Sequence, residues 1–184
     1  MKLGQNVIIA LVVVAILWGV LIADWFLPLD LRRFGIRPGS SGIPWGVLFS
    51  PFLHANTAHL AANSGALFVL LILSLSFGRL PALEALTVIV LGGGGLVWFF
   101  GQRGTVHIGA SGVIFGLIGF LIFAGLFHRN WKALILSLIV FFMYGASLLT
   151  LLVHTPGVSW SGHFFGFLSG VVAAWLTRPR RATH

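Results

Sequence analysis

The sequence predicts an all-α fold: a polytopic membrane protein whose single domain is a bundle of six transmembrane helices. Two observations carry that reading. Apolar residues make up 58% of the 184-residue chain and charged residues only 8%, whereas soluble domains carry about 25% charged residues. The apolar residues also fall into six stretches, each near the ~20 residues that a helix needs to cross a bilayer. Such a chain has too little polar surface for a cytosolic enzyme, a disordered protein or a nucleic-acid binder. The net charge of +8 does not reopen the last class, because the basic residues are scattered rather than gathered in a patch. The absence of cysteine excludes disulfides, thiol catalysis and cysteine-type zinc sites.

The first stretch, Val7–Leu29, follows the single Lys2. It is longer than a signal-peptide core and lacks a clean cleavage site, so it reads as a retained helix. A long loop follows, about residues 30–57, with Pro38, Pro44 and Pro51 among Trp45 and Phe52. Turn formers mixed with large apolar side chains suit a loop lying in the membrane interface. The second stretch is His59–Phe77. The third, Pro81–Gly101, contains four glycines at 92–95 with no following Lys-Ser/Thr, so they predict close packing or a helix irregularity rather than a phosphate loop. The fourth and fifth are Gly109–Phe127 and Trp131–Val153. The segment His154–Ser159, with Pro156 and Gly157, predicts a turn and a mobile cap before the sixth stretch, Trp160–Thr177. A short basic tail, 178–184, closes the chain.

Six spans put both termini on one side. That side collects Lys2, Arg79, Arg129, Lys132, Arg178, Arg180 and Arg181, and the other collects Arg32, Arg33, Arg37 and Arg103. The excess of basic residues predicts cytosolic termini. With no cytosolic extension or targeting segment in this sequence, a prokaryotic plasma membrane is the expected location.

Polar side chains inside a bilayer are costly and point to function by default. Here they share one depth. His59 and Asn63 open the second stretch, Ser111 opens the fourth and His163 opens the sixth, and all three stretches begin on the outer side. A lone serine at a helix start is most often a cap or a packing residue. A lone membrane histidine is most often bonded to a carbonyl. Together they fit a nucleophile and its general base. Glycines make the approach feasible: Gly166 and Gly170 lie on the helix face of His163, and Gly112 and Gly116 lie four apart below Ser111, so the two helices can pack closely. His59 and Asn63 share a helix face and both donate hydrogen bonds, as an oxyanion site requires. The ordinary alternative is a polar pair tying the second helix to the loop. His54, five residues before His59, reads as a structural hydrogen-bonding group.

The remaining chemistry is thin. The acidic residues are Asp24, Asp30 and Glu84. They supply neither the facing carboxylates of an aspartyl protease nor the His-Glu-x-x-His of a zinc protease. His54, His59, His107 and His163 lack i, i+4 ligand pairing and a neighbouring carboxylate, so no metal is expected. Any catalytic apparatus is therefore a Ser–His dyad, without the orienting Asp of the usual triad.

From the long loop to the sixth stretch, the chain resembles the rhomboid intramembrane serine proteases of minimal six-helix type. Gly109-Ala110-Ser111-Gly112 is similar to the family's Gly-x-Ser-Gly motif. His163 with Gly166 and Gly170 is similar to its His-x-x-Gly-x-x-x-Gly motif, and His59 with Asn63 to its His-x-x-x-Asn motif. His54 matches a further histidine five residues earlier. The resemblance implies Ser111 as nucleophile and His163 as base. It also implies an oxyanion site from His59, Asn63 and the Ser111 amide, no cofactor, and single-pass transmembrane helices in the lipid bilayer as substrates. Two positions depart from the pattern. Trp45 is followed by Gly46 rather than the common Arg, which removes that loop anchor. Phe115 stands where a Tyr commonly stacks on the catalytic imidazole, so packing can persist without the hydroxyl. The alternative within the same fold is a catalytically inactive rhomboid-like scaffold that binds membrane helices. A transporter is less well matched, since no internal repeat is visible and the polar groups gather near one surface.

Overall fold

A computed structural model describes residues 3–41, 44–128, 130–152 and 159–179. Six long helices form it: α1 (Leu3–Phe26), α2 (Thr57–Leu75), α3 (Arg79–Phe100), α4 (Ser111–Phe127), α5 (Trp131–Leu151) and α6 (Trp160–Leu176). Each falls within a few residues of its predicted stretch. Val153, residues 154–158 of the expected cap, tail residues 180–184, Lys2 and Arg129 lie outside the described residues.

Local chemistry sets the helix starts. Asn56 caps α2 by accepting from the His59 amide at 2.8 Å, and Asn130 caps α5 by accepting from the Ala133 amide at 2.8 Å. Ser159 caps α6, accepting from Gly162 N–H at 3.1 Å. In each, a side-chain oxygen takes one of the amides that the first turn leaves unpaired. Helix α4 begins at Ser111 rather than at the predicted Gly109, because Gly109 has φ of 108° and cannot continue a right-handed helix. Pro81 does not delay α3, which starts at Arg79, because a first-turn residue needs no amide donor.

Helix α4 is the hub. Every residue from Val113 to Leu121 is buried, as befits a helix that is apolar all round. In lipid the hydrophobic effect does little to hold helices together, so association rests on close van der Waals packing. Helices α4 and α6 achieve it through glycine: a Cβ at Gly166 would overlap the Gly112 carbonyl oxygen, and one at Gly170 would overlap that of Gly116. The glycine run of α3 proves both irregular and close-packed. Residues Ile89–Gly93 form a π-helical turn. Gly93 abuts Gly166 and Gly94 abuts Val47, while a Cβ at Gly95 would meet nothing within 4 Å. Helix α1 joins α2 through a Trp18 Nε1–Ser64 Oγ hydrogen bond of 3.1 Å. Helix α5 turns Phe141, Phe142 and Met143 outward, as a lipid-facing helix must.

Helices α4 and α6 have 17 residues each. That makes them about 26 Å long, against a hydrocarbon core of about 30 Å.

The long loop is folded rather than slack. It contains a 3-10 turn at Leu31–Phe34, a short helix at Gly46–Phe49 and a second 3-10 turn at Ser50–Phe52. The Asp24 carboxylate, in the last turn of α1, accepts from the Leu31 amide at 2.7 Å. Ile36 and Val47 pack on Val97 of α3. Backbone hydrogen bonds of 2.9 Å run both ways between Ile36 and His107, and Gly109 N–H donates to the Ser50 carbonyl at 2.9 Å. Gly46 closes against the backbone of Gly35 so tightly that a Cβ there would overlap the Gly35 carbonyl. At Gly46, where the family resemblance implies an Arg, close backbone contact takes the place of a side-chain anchor.

Candidate active site

The N-terminal ends of α2, α4 and α6 surround a cavity of about 870 Å³. His59 and Asn63 line it from α2, Ser111 from α4, and His163 from α6. Those three helix ends are far apart in sequence, and the fold brings all four side chains to one cavity. Among the described residues, no acidic residue lines it.

Ser111 is the first residue of α4, so its amide and those of the rest of the first turn have no intrahelical acceptor. These N–H groups and the positive end of the helix dipole favour negative charge beside the hydroxyl. Among the described residues, no hydrogen bond joins Ser111 Oγ to His163. Phe115, one turn below Ser111, stacks on the His163 ring with centroids 4.0 Å apart and planes 12° apart. His163 is 8% exposed, and its Nδ1 is fully buried with no hydrogen-bond partner among the described residues. The orientation of the ring therefore comes from stacking on Phe115 rather than from a carboxylate. Burial of Nδ1 leaves Nε2 as the nitrogen able to meet a reacting group.

Gly109 explains how α2 approaches the serine. A Cβ there would lie 2.7 Å from His59 Cε1 and 2.8 Å from His59 Nε2. Steric room and a left-handed φ both call for glycine. His54, in the loop before α2, is 2% exposed, and its Nε2 lies 3.1 Å from Asn63 Nδ2 and 3.4 Å from the Ala110 amide. Both neighbours are donors, so Nε2 is the acceptor and the proton sits on Nδ1. The bond fixes the Asn63 amide with its NH₂ end toward residues 109–110. One N–H is spent on His54 and the second remains free to donate. Burial, and secondarily the nearby His59, push the His54 imidazole down to about 4, which keeps it neutral and accepting at pH 7.

Three further residues line this cavity: Thr105, which no sequence motif marks, His107, which the sequence offers only as a metal ligand, and Ser159, which it offers only as the end of a cap segment. His107 Nδ1 lies 2.6 Å from Ser159 Oγ, and its Nε2 lies 2.9 Å from Thr105 Oγ1. Burial pushes the His107 imidazole down. A signal for Ser159 existed, since a serine just before an apolar helical run is a cap. Nothing in the sequence pairs His107 with it.

A bundle of membrane helices with a serine and a histidine facing one cavity at the N-terminal ends of its helices defines a class, the polytopic helical membrane proteins built around a polar site. Within that class the chain belongs to the rhomboid family, an intramembrane protease family whose Rhomboid domain matches residues 41–180. An uncharacterized protein of Mycobacterium tuberculosis is 42% identical over 177 residues, covering 91% of this chain and 74% of its own length. One from Mycobacterium leprae is 40% identical over 179 residues, with 92% and 70% covered. A Bacillus subtilis protein named as a candidate rhomboid protease, YdcA, is 28% identical over 153 residues, with 77% and 72% covered.

Proposed function

We propose that this protein is an intramembrane serine endopeptidase that cleaves single-pass transmembrane helices near the outer membrane face with a Ser111–His163 dyad. The observation that carries the reading is the meeting of Ser111, His163, His59 and Asn63 in one cavity at the outer ends of α2, α4 and α6.

A substrate helix must unwind locally, because an intact helix keeps its carbonyls hydrogen-bonded. Ser111 Oγ then attacks the exposed carbonyl carbon while His163 Nε2 takes the hydroxyl proton. The oxyanion accepts hydrogen bonds from His59, from the free N–H of Asn63 and from the Ser111 amide. Collapse breaks the C–N bond, and His163 gives its proton to the departing amine. Water enters through the polar cavity, loses a proton to His163 and adds to the ester. Ser111 leaves with that proton, releasing a carboxylate. The site lies toward the outer face of a plasma membrane with the termini in the cytosol.

The test is labelling with a fluorescent fluorophosphonate in liposomes. Wild type is expected to label, and Ser111→Ala and His163→Ala are not. An unlabelled but folded wild type would shift the reading to a helix-binding scaffold.

A further inference from the structure

We propose that His107 and Ser159 are positioning residues, whose shared hydrogen bond sets the approach of His163 to Ser111. The inference rests on the reading of those two residues as base and nucleophile.

The pair occupies matched places. His107 lies four residues before Ser111 and Ser159 four residues before His163. The 2.6 Å contact between His107 Nδ1 and Ser159 Oγ therefore joins the two chain segments that lead into the reacting groups. On one side, His107 is fixed by its antiparallel backbone bridge to Ile36 of the long loop. On the other, Ser159 is the N-cap of α6. One side-chain bond ties the loop, the start of α4 and the start of α6 together.

The proton positions follow from the neighbours. Thr105 Oγ1 donates its hydrogen to the Gln102 carbonyl at 2.6 Å, so toward His107 it accepts. His107 accordingly carries its proton on Nε2 and donates to Thr105 at 2.9 Å, leaving Nδ1 as an acceptor. Ser159 accepts from Gly162 N–H at 3.1 Å and donates its own hydrogen to Nδ1. The chain Gly162 → Ser159 → His107 → Thr105 → Gln102 runs in one direction with every hydroxyl and ring hydrogen used. The glycine seam lets α4 and α6 approach closely along their length, but it offers no directional bond at their outer ends. This relay supplies one.

The chain has no cysteine, so Ser111→Cys introduces a sole thiol whose alkylation by iodoacetamide at pH 7 reports its pairing with the neighbouring imidazole. In that background His107→Phe and Ser159→Ala are each expected to slow alkylation about fivefold, and Ser159→Thr to stay within about twofold, the scale of one neutral hydrogen bond. With Ser111 intact, the same single variants should lower the saturating fluorophosphonate labelling rate about tenfold with half-saturation unchanged. The double variant should be no slower than the slower single one. Each variant is first checked for a monodisperse, cooperatively melting fold, and His107→Leu, which also removes the acceptor for Ser159, replaces any His107→Phe protein that fails. Thiol reactivity and labelling both indifferent to these substitutions, or additive losses in the double variant, overturn the inference and leave the protease reading standing. A wild type that never labels, but whose introduced thiol still depends on His107 and Ser159, overturns the protease reading and keeps the positioning pair.

Discussion

At the scale of single residues, two of the proposed catalytic groups depend on an uncharged neighbour. His163 is held by a phenyl face, and Asn63 is oriented by a neutral histidine. Phe115→Ala should therefore cut fluorophosphonate labelling while Phe115→Tyr, which preserves the ring, should not. Equal loss in both would show that stacking is not what holds the ring. His59→Ala and Asn63→Ala should each lower the labelling rate by about 10²–10³-fold, as removal of other oxyanion donors does. Losses as complete as that of Ser111→Ala would instead give them a part in the proton transfer. The depressed His54 pKa adds a pH dependence. Because the folded state binds this proton more weakly than the unfolded chain, the stabilisation is full above the ordinary histidine pKa of 6.5. It is lost as pH falls from there toward about 4, an effect of about 1–3 kcal/mol. Protonation also turns Nε2 into a donor and forces Asn63 to present its carbonyl oxygen. Thermal melts between pH 7 and 4 should fall more steeply for wild type than for His54→Asn, and parallel curves would contradict this.

At the scale of elements, glycine position rather than glycine content decides the packing. Gly170→Ala inserts a methyl into the Gly116 carbonyl of α4. The helices must separate, at a cost of about 1–3 kcal/mol or more, and the serine and histidine at their outer ends should part with them. Gly95→Ala, in the same kind of run but facing open space, should be neutral or gain a few tenths of a kcal/mol from helix propensity. Melting temperatures of the two variants in detergent provide the comparison, and similar losses would dismiss the seam as the determinant. The π-helical turn in α3 has a related origin. Three adjacent glycines face different partners there: Ser169, Gly166 and Val47. A regular helix turns successive residues by about 100°, so a run that must touch α6 and the long loop together is eased by a locally widened turn.

At the scale of the whole molecule, the proposed orientation follows from basic residues near the ends of the helices. Single cysteines introduced as Gln5→Cys and Arg103→Cys should separate cleanly in intact cells. A membrane-impermeant maleimide should label the second and spare the first, and the reverse pattern would invert the molecule and move the cavity to the cytosolic face. Gln5 and Arg79 are joined by a hydrogen bond of 3.1 Å across α1 and α3, so the start of α1 reports the same face as the start of α3.

Helix number and approximate bounds were legible because a bilayer demands long apolar runs, and composition alone reveals them. The candidate site was legible for a related reason: polar side chains are so costly in lipid that Ser111, His163, His59 and Asn63 stood out against an apolar background. Their roles remained inference, since spacing along one chain cannot say which helices are neighbours. Only the tertiary structure decided that α4 is the buried hub, that Phe115 faces His163, and that His54 turns the Asn63 amide toward residues 109–110. The His107–Ser159 bond was invisible for the same reason, joining residues 52 apart in sequence. It forms through a loop bridge that no hydrophobic period encodes. The sequence by itself determined what must lie in the membrane and which side chains are out of place there. Tertiary packing, governed by where a missing Cβ lets two backbones touch, decided which of those side chains meet.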